Sequence, residues 1–109
     1  PNVILCERGI RTHEKEVRFT LRIGSIPVLR ELTHLPIVVD PSHAAGKARW
    51  VADHATAGIA AGCDGLIVEV HPRPEEALSD GAQSLDQQHW TDLMDGVRAV
   101  SKAVGRSVC

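Results

Sequence analysis

Ile37-Val38-Val39-Asp40-Pro41-Ser42-His43 is a short β-branched run that ends abruptly in an acid, a proline, a hydroxyl and an imidazole. A continuous apolar run, as opposed to an alternating one, marks a parallel strand covered on both faces. Two other stretches repeat the plan. Val3-Ile4-Leu5-Cys6 leads into Glu7-Arg8-Gly9, and Leu66-Ile67-Val68-Glu69-Val70 leads into His71-Pro72. Helical patterns fill the intervals. Ser25 is placed to cap a helix entered through Pro27 and running to about Leu32. An Ala-rich helix is expected from Arg49 to Ala61, with Val51, Ala55 and Ile59 on one face and Gly62 as its left-handed stop. The last helix is capped by Asp86, carries Trp90, Leu93, Met94, Val97, Val100 and Val104 as one stripe, and closes at Gly105.

The order β-α-β-α-β-α implies a parallel sheet of the α/β class: an open doubly wound fold, a closed eight-fold barrel, or part of either. In each, chemistry gathers at the C-terminal ends of the strands, where the polar residues quoted above fall. Three such units leave two open sheet edges, so a piece of a larger barrel is expected.

Composition narrows the partners. Among 109 residues, aromatics make up 3% and the formal charge is -2, which argues against base-stacking modules and duplex binders. The basic residues Arg8, Arg11, Lys15, Arg18 and Arg22 cluster locally, either to hold a phosphate or as a solvated face mixed with Glu14 and Glu16. The start at Pro1 and Asn2 has no basic region or long apolar core of a signal peptide, and the apolar runs are too short to span a bilayer. Cys6, Cys63 and Cys109 are odd in number and widely spaced, so free thiols in the cytoplasm are expected.

Taken singly, the candidate residues have ordinary explanations. His43 suits a hydrogen-bonded loop, and Asp80 in Leu78-Ser79-Asp80-Gly81 suits a cap or an Asx turn. Glu69 is harder to dismiss, because a carboxylate inside an apolar run needs a cation or an ion pair with an Arg such as Arg8. Together, one imidazole and two carboxylates at the ends of successive strands suit a borderline divalent ion such as Mn²⁺, Fe²⁺, Co²⁺ or Zn²⁺. Arg8 offers a bidentate clamp for a phosphate or carboxylate, or an ion pair with Glu7 or Glu69. Gly9 permits close approach of a ligand to the backbone. Asp40 suits orienting His43, holding a substrate hydroxyl, or capping the turn, and His71 suits a donor behind the site or, the reading preferred, a simple strand-end residue.

Four motifs then carry a resemblance. They are Ile4-Leu5-Cys6-Glu7-Arg8-Gly9-Ile10-Arg11-Thr12, Leu32-Thr33-His34-Leu35-Pro36-Ile37-Val38-Val39-Asp40-Pro41-Ser42-His43, Ala61-Gly62-Cys63-Asp64-Gly65-Leu66-Ile67-Val68-Glu69-Val70-His71-Pro72, and Ala77-Leu78-Ser79-Asp80-Gly81-Ala82-Gln83-Ser84-Leu85. In this order and spacing the chain resembles the type I-beta branch of the 3-deoxy-arabino-heptulosonate 7-phosphate (DAHP) synthases. The resemblance implies that residues 1–109 are the C-terminal portion, the last three βα units, of a TIM (β/α)8 barrel. It implies a metal-dependent aldol-type transferase joining phosphoenolpyruvate to erythrose 4-phosphate with release of phosphate, the entry step of aromatic amino-acid synthesis. It further implies His43, Glu69 and Asp80 as ligands of a divalent metal such as Mn²⁺, His43 and Asp40 as catalytic, and Arg8, Glu7 and His43 as substrate-binding. The family's Cys metal ligand and its upstream Lys-Pro-Arg-Thr segment have no counterpart here, and Arg18 to Ser25 diverges. The isolated chain is therefore expected to be inactive, and to pair with copies of itself or with the rest of the barrel. The alternatives are a 3-deoxy-manno-octulosonate 8-phosphate synthase-like enzyme acting on arabinose 5-phosphate, and a non-catalytic binding or subunit module.

Overall fold

A computed structural model describes residues 2–109; Pro1, part of the N-terminal stretch read above, lies outside them. Strand β1 (Leu5–Glu7), helix α1 (Ser25–Leu32), strand β2 (Ile37–Val39), helix α2 (Pro41–Ala45), helix α3 (Ala48–Ala61), strand β3 (Gly65–Leu66) and helix α4 (Gln87–Ala103) follow in order, with a 3-10 turn at Pro74–Glu76 before α4. The strands form one parallel sheet in the order β1-β2-β3. Its register pairs Leu5 with Ile37, Glu7 with Val39, and Val39 with Leu66.

Strand alternation divides the sheet into two faces. Leu5, Ile37, Val39, Leu66 and Val68 pack against a core made by Ile26 of α1, Val51, Ala55 and Ile59 of α3, and Leu93 and Val97 of α4. Cys6 and Ile67 lie on the opposite face and are exposed. Only one face is covered within the described residues, where the continuous apolar runs implied two. The helices account for the covered face: α3 packs against α2 and α4, and α1 packs against α3 and β2. Gly58 allows α3 its close approach, since a Cβ there would stand 3.1 Å from Val39 Cγ2.

Element boundaries depart from expectation for local reasons. The first strand includes Glu7 and omits Val3 and Ile4. The third shortens to Gly65–Leu66 because, past Ile67, the Ser42 hydroxyl accepts the Glu69 N–H at 3.0 Å in place of a strand carbonyl. Val70 instead bridges in parallel to Leu85. Ser25 does not cap α1. Gly24 holds that position, and the Ser25 hydroxyl lies 2.8 Å from Glu7 Oε2 and 2.7 Å from the Arg22 carbonyl oxygen. Gly62 ends α3 in the left-handed conformation, and Asp86 caps α4 by accepting the His89 N–H. Trp90 and Val104 of the α4 stripe stay exposed. Among the described residues, no helix is long and apolar enough to cross a membrane.

Candidate metal centre

Helix α2 begins where β2 stops, and this junction builds the site. Pro41 occupies the first helical turn, where no intrahelical partner for its nitrogen is needed. Asp40 caps the helix: the His43 N–H donates to Asp40 Oδ1 at 2.9 Å. The same carboxylate reaches the ring, with His43 Nδ1 2.7 Å from Asp40 Oδ2. A carboxylate at that distance accepts, so Nδ1 carries a proton and Nε2 is the ring atom left to face the neighbouring carboxylates. Asp40 is 3% exposed and has a second partner in Arg8, whose Nε lies 3.4 Å from Oδ2.

His43 Nε2 faces Glu69 Oε1 at 3.0 Å and Asp80 Oδ2 at 3.8 Å. One ligand atom from each of His43, Glu69 and Asp80 lies within 4.8 Å of the others. A lone pair opposed by two carboxylate oxygens is a set of acceptors that needs a proton or a cation among them. One imidazole nitrogen and two carboxylate oxygens are the donor set a borderline divalent ion takes, so these residues fit such an ion.

Each of these side chains is positioned by a different device. Glu69 is set by the Ser42 hydroxyl on its backbone N–H, Ser42 being fully buried. Asp80 adopts φ 53, a left-handed conformation that Asp tolerates better than most residues. Its carbonyl oxygen accepts the N–H groups of Gln83 and Ser84, both at 3.2 Å. Its carboxylate accepts from Arg18 Nη1 at 2.9 Å through Oδ1.

The remaining expected residues lie close by in different roles. Glu7 shapes the loop after β1: its Oε1 accepts the N–H groups of Gly9 at 3.0 Å and Arg22 at 3.3 Å. Gly9, at φ 90, gives its close approach to the protein's own chain, because a Cβ there would stand 2.8 Å from Phe19 Cβ. Arg8 pairs with Asp40, not with Glu7 or Glu69, and its side chain is 53% exposed. His71 accepts the Arg73 N–H through Nδ1 at 3.0 Å and stands outside the cluster. Cys6 is also outside it. Although Cys6 is exposed, partial desolvation by its neighbours pushes its thiol up and the Asp40 charge adds to the effect, so it is less able to ionise as a ligand or nucleophile.

Three residues that sequence reasoning did not single out prove structurally central. Gln83 is 2% exposed, accepts from Arg18 Nη1 at 2.9 Å, and donates from Nε2 to Glu69 Oε2 at 3.1 Å. Arg18 was visible only as one of five clustered basic residues. Asp64 stands at the other end of the sheet, where it accepts the Ile37 N–H at 2.9 Å and pairs with Arg30 and Arg106. Partial burial raises its carboxyl, but the Ile37 and Arg30 hydrogen bonds and the charges of Arg30 and Arg106 outweigh this and hold it below its ordinary value.

Comparison with known proteins identifies relatives over nearly the whole chain. The chain is 51% identical over 106 residues to a Thermotoga maritima protein named phospho-2-dehydro-3-deoxyheptonate aldolase, covering 97% of this chain and 31% of that protein. It is 33% identical over 111 residues to a 2-dehydro-3-deoxyphosphooctonate aldolase of Magnetococcus marinus, covering 93% of this chain and 38% of that protein. The solved structure of a truncated form of 3-deoxy-D-arabino-heptulosonate 7-phosphate synthase from Thermotoga maritima superposes with a TM-score of 0.95 at 51% identity, covering 97% of this chain and 40% of that one. The chain thus spans well under half the length of these relatives. The model of the DAHP synthetase I family matches residues 1–104, and the chain belongs to that family.

Proposed function

We propose that residues 1–109 form the last three βα units of a TIM (β/α)8 barrel whose whole protein condenses phosphoenolpyruvate with erythrose 4-phosphate to DAHP and phosphate. The observation that carries this is the convergence of His43 Nε2, Glu69 Oε1 and Asp80 Oδ2 at the C-terminal ends of parallel strands, beside Arg8. The uncovered sheet face that bears Cys6 and Ile67 corresponds to a barrel interior.

His43, Glu69 and Asp80 hold a divalent ion, Mn²⁺ or a similar transition metal. When bound, it supplies Lewis-acid polarisation of an aldehyde oxygen. Asp40 fixes the His43 ring in the tautomer that leaves Nε2 unprotonated, so the two work as one catalytic pair. Arg8, steadied through Nε by Asp40, keeps its terminal nitrogens for the phosphoenolpyruvate phosphate and stabilises its charge as phosphate departs. Glu7 contributes to the substrate site by fixing the loop that carries Arg8. The open edges of β1 and β3 pair with the rest of the barrel, or with copies in its absence. The composition suits a cytoplasmic enzyme without nucleic-acid or membrane partners.

Phosphate release by the protein at its native length, measured with Mn²⁺ and either aldose, tests the proposal. Erythrose 4-phosphate is expected to be preferred, and a chelator to abolish turnover. Preference for arabinose 5-phosphate would favour the octulosonate reaction, which the name of the Magnetococcus relative keeps in view.

A further inference from the structure

Each of the three residues that converge offers one atom forward and has its other polar atom tied back. His43 Nδ1 is held by Asp40 Oδ2, Glu69 Oε2 accepts from Gln83 Nε2, and Asp80 Oδ1 accepts from Arg18 Nη1. The forward atoms are Nε2, Oε1 and Oδ2. The last two restraints are one device. Arg18 Nη1 lies 2.9 Å from both Asp80 Oδ1 and Gln83 Oε1, so a single guanidinium nitrogen joins Asp80 to Glu69 through the buried Gln83 amide.

A carboxylate whose second oxygen already accepts a hydrogen bond is biased toward binding a cation through the other oxygen. Resting on the metal site proposed above, we infer that Arg18 and Gln83 are positioning residues that enforce one-oxygen ligation by Asp80 and Glu69. They thereby select a small transition-metal ion over Ca²⁺. Ca²⁺ takes six to eight oxygens and readily accepts two from one carboxylate, whereas first-row ions such as Mn²⁺ and Zn²⁺ take about four to six donors and accept an imidazole among them. The fold is arranged around Arg18. Its backbone N–H and that of Phe19 donate to the carbonyl oxygens of Ala45 and Ala44 at 3.4 and 2.9 Å. Gly46 makes room, since a Cβ there would stand 2.6 Å from Arg18 Cβ. Gln83 itself has both ends of its amide used and no contact with solvent to explain it, which is expensive unless each bond is made.

The test compares the metal-stripped protein at its native length with Gln83→Met, Arg18→Met and Arg18→Lys variants. Mn²⁺ and Ca²⁺ are titrated separately by calorimetry, and Mn²⁺ paramagnetic resonance reports the symmetry of the bound ion. Gln83→Met and Arg18→Met are expected to weaken Mn²⁺ about 10- to 100-fold, the usual cost of losing a group that orients a ligand. Ca²⁺ affinity is expected to hold or rise, and the resonance to broaden. Arg18→Lys restores part of the Mn²⁺ affinity, because one nitrogen makes both bonds and an ammonium has three donors. An unchanged Mn²⁺ to Ca²⁺ ratio in both Met variants, with Mn²⁺ still bound at the site in the unsubstituted protein, overturns this inference alone. No Mn²⁺ binding by the unsubstituted protein overturns the metal site itself and the inference with it. Should Gln83→Met fail to fold, the half-exposed Arg18→Met decides the matter by the same ratio.

Discussion

Asp40 does three things with one carboxylate: it caps α2, fixes the His43 ring and pairs with Arg8. Its burial makes each bond matter, because no water is at hand to replace a lost partner. Asp40→Ala is therefore expected to weaken Mn²⁺ about 10- to 100-fold by calorimetric titration. Asp64 makes a contrasting case at the far end of the sheet. Its folded-state carboxyl is held below the ordinary value, so its contribution to stability is full above the unfolded-state value and is lost as pH falls through the folded one. The unfolding free energies of the unsubstituted protein and Asp64→Asn, from urea titration, should differ at pH 7 by no more than about 1 kcal/mol for a partly exposed, salt-screened group. They should draw together below about pH 4. At this scale the sequence was most informative where a residue type conflicted with its neighbours. Glu69 in an apolar run and His43 after a strand both stood out, whereas Gln83 did not, because its bond to Arg18 spans 65 positions and only the tertiary fold creates it.

The helices and strands followed their local signals wherever the chain itself supplied the partner. Gly62 ended α3 and Asp86 began α4, since caps and left-handed stops are settled within one turn. Helix α2 escaped the sequence pattern because five residues are too few to show a period, although Asp40 followed by Pro41 is the sort of pair that opens a helix. Strand lengths were misjudged where pairing, not propensity, decides them. Gly46 is the element-scale position most sensitive to change. It is at φ 70, and a Cβ would collide with Arg18. Gly46→Ala is expected to cost at least about 1 kcal/mol in chemical denaturation, and to weaken Mn²⁺ as well by displacing Arg18.

At the scale of the molecule, three parallel strands and their helices make a sheet that, among the described residues, leaves the β1 edge unpaired, the β3 edge paired only where Val70 bridges Leu85, and one face bare. Exposed Ile4, Ile67 and Val70 lie along or beside it. Such edges favour association, so the 109-residue chain alone is expected to sediment as concentration-dependent oligomers and to show no phosphate release with both substrates and Mn²⁺. A sharp monomer at all concentrations would count against the open-edge account. The α/β class and parallel order were legible from three apolar runs with polar ends, because each run marks its own strand and its own polar exit. The bare face was not, since a continuous apolar run implies cover on both sides and the described residues cover only one.

The account stands on a single shared cation at the ends of these strands. The most direct measurement is a crystal structure of the native-length protein soaked with Mn²⁺, with its anomalous signal mapped. The expected result is one strong peak within bonding distance of His43 Nε2, Glu69 Oε1 and Asp80 Oδ2. A Mn²⁺ peak elsewhere, or these three side chains facing separate surroundings without a common ion, would contradict it.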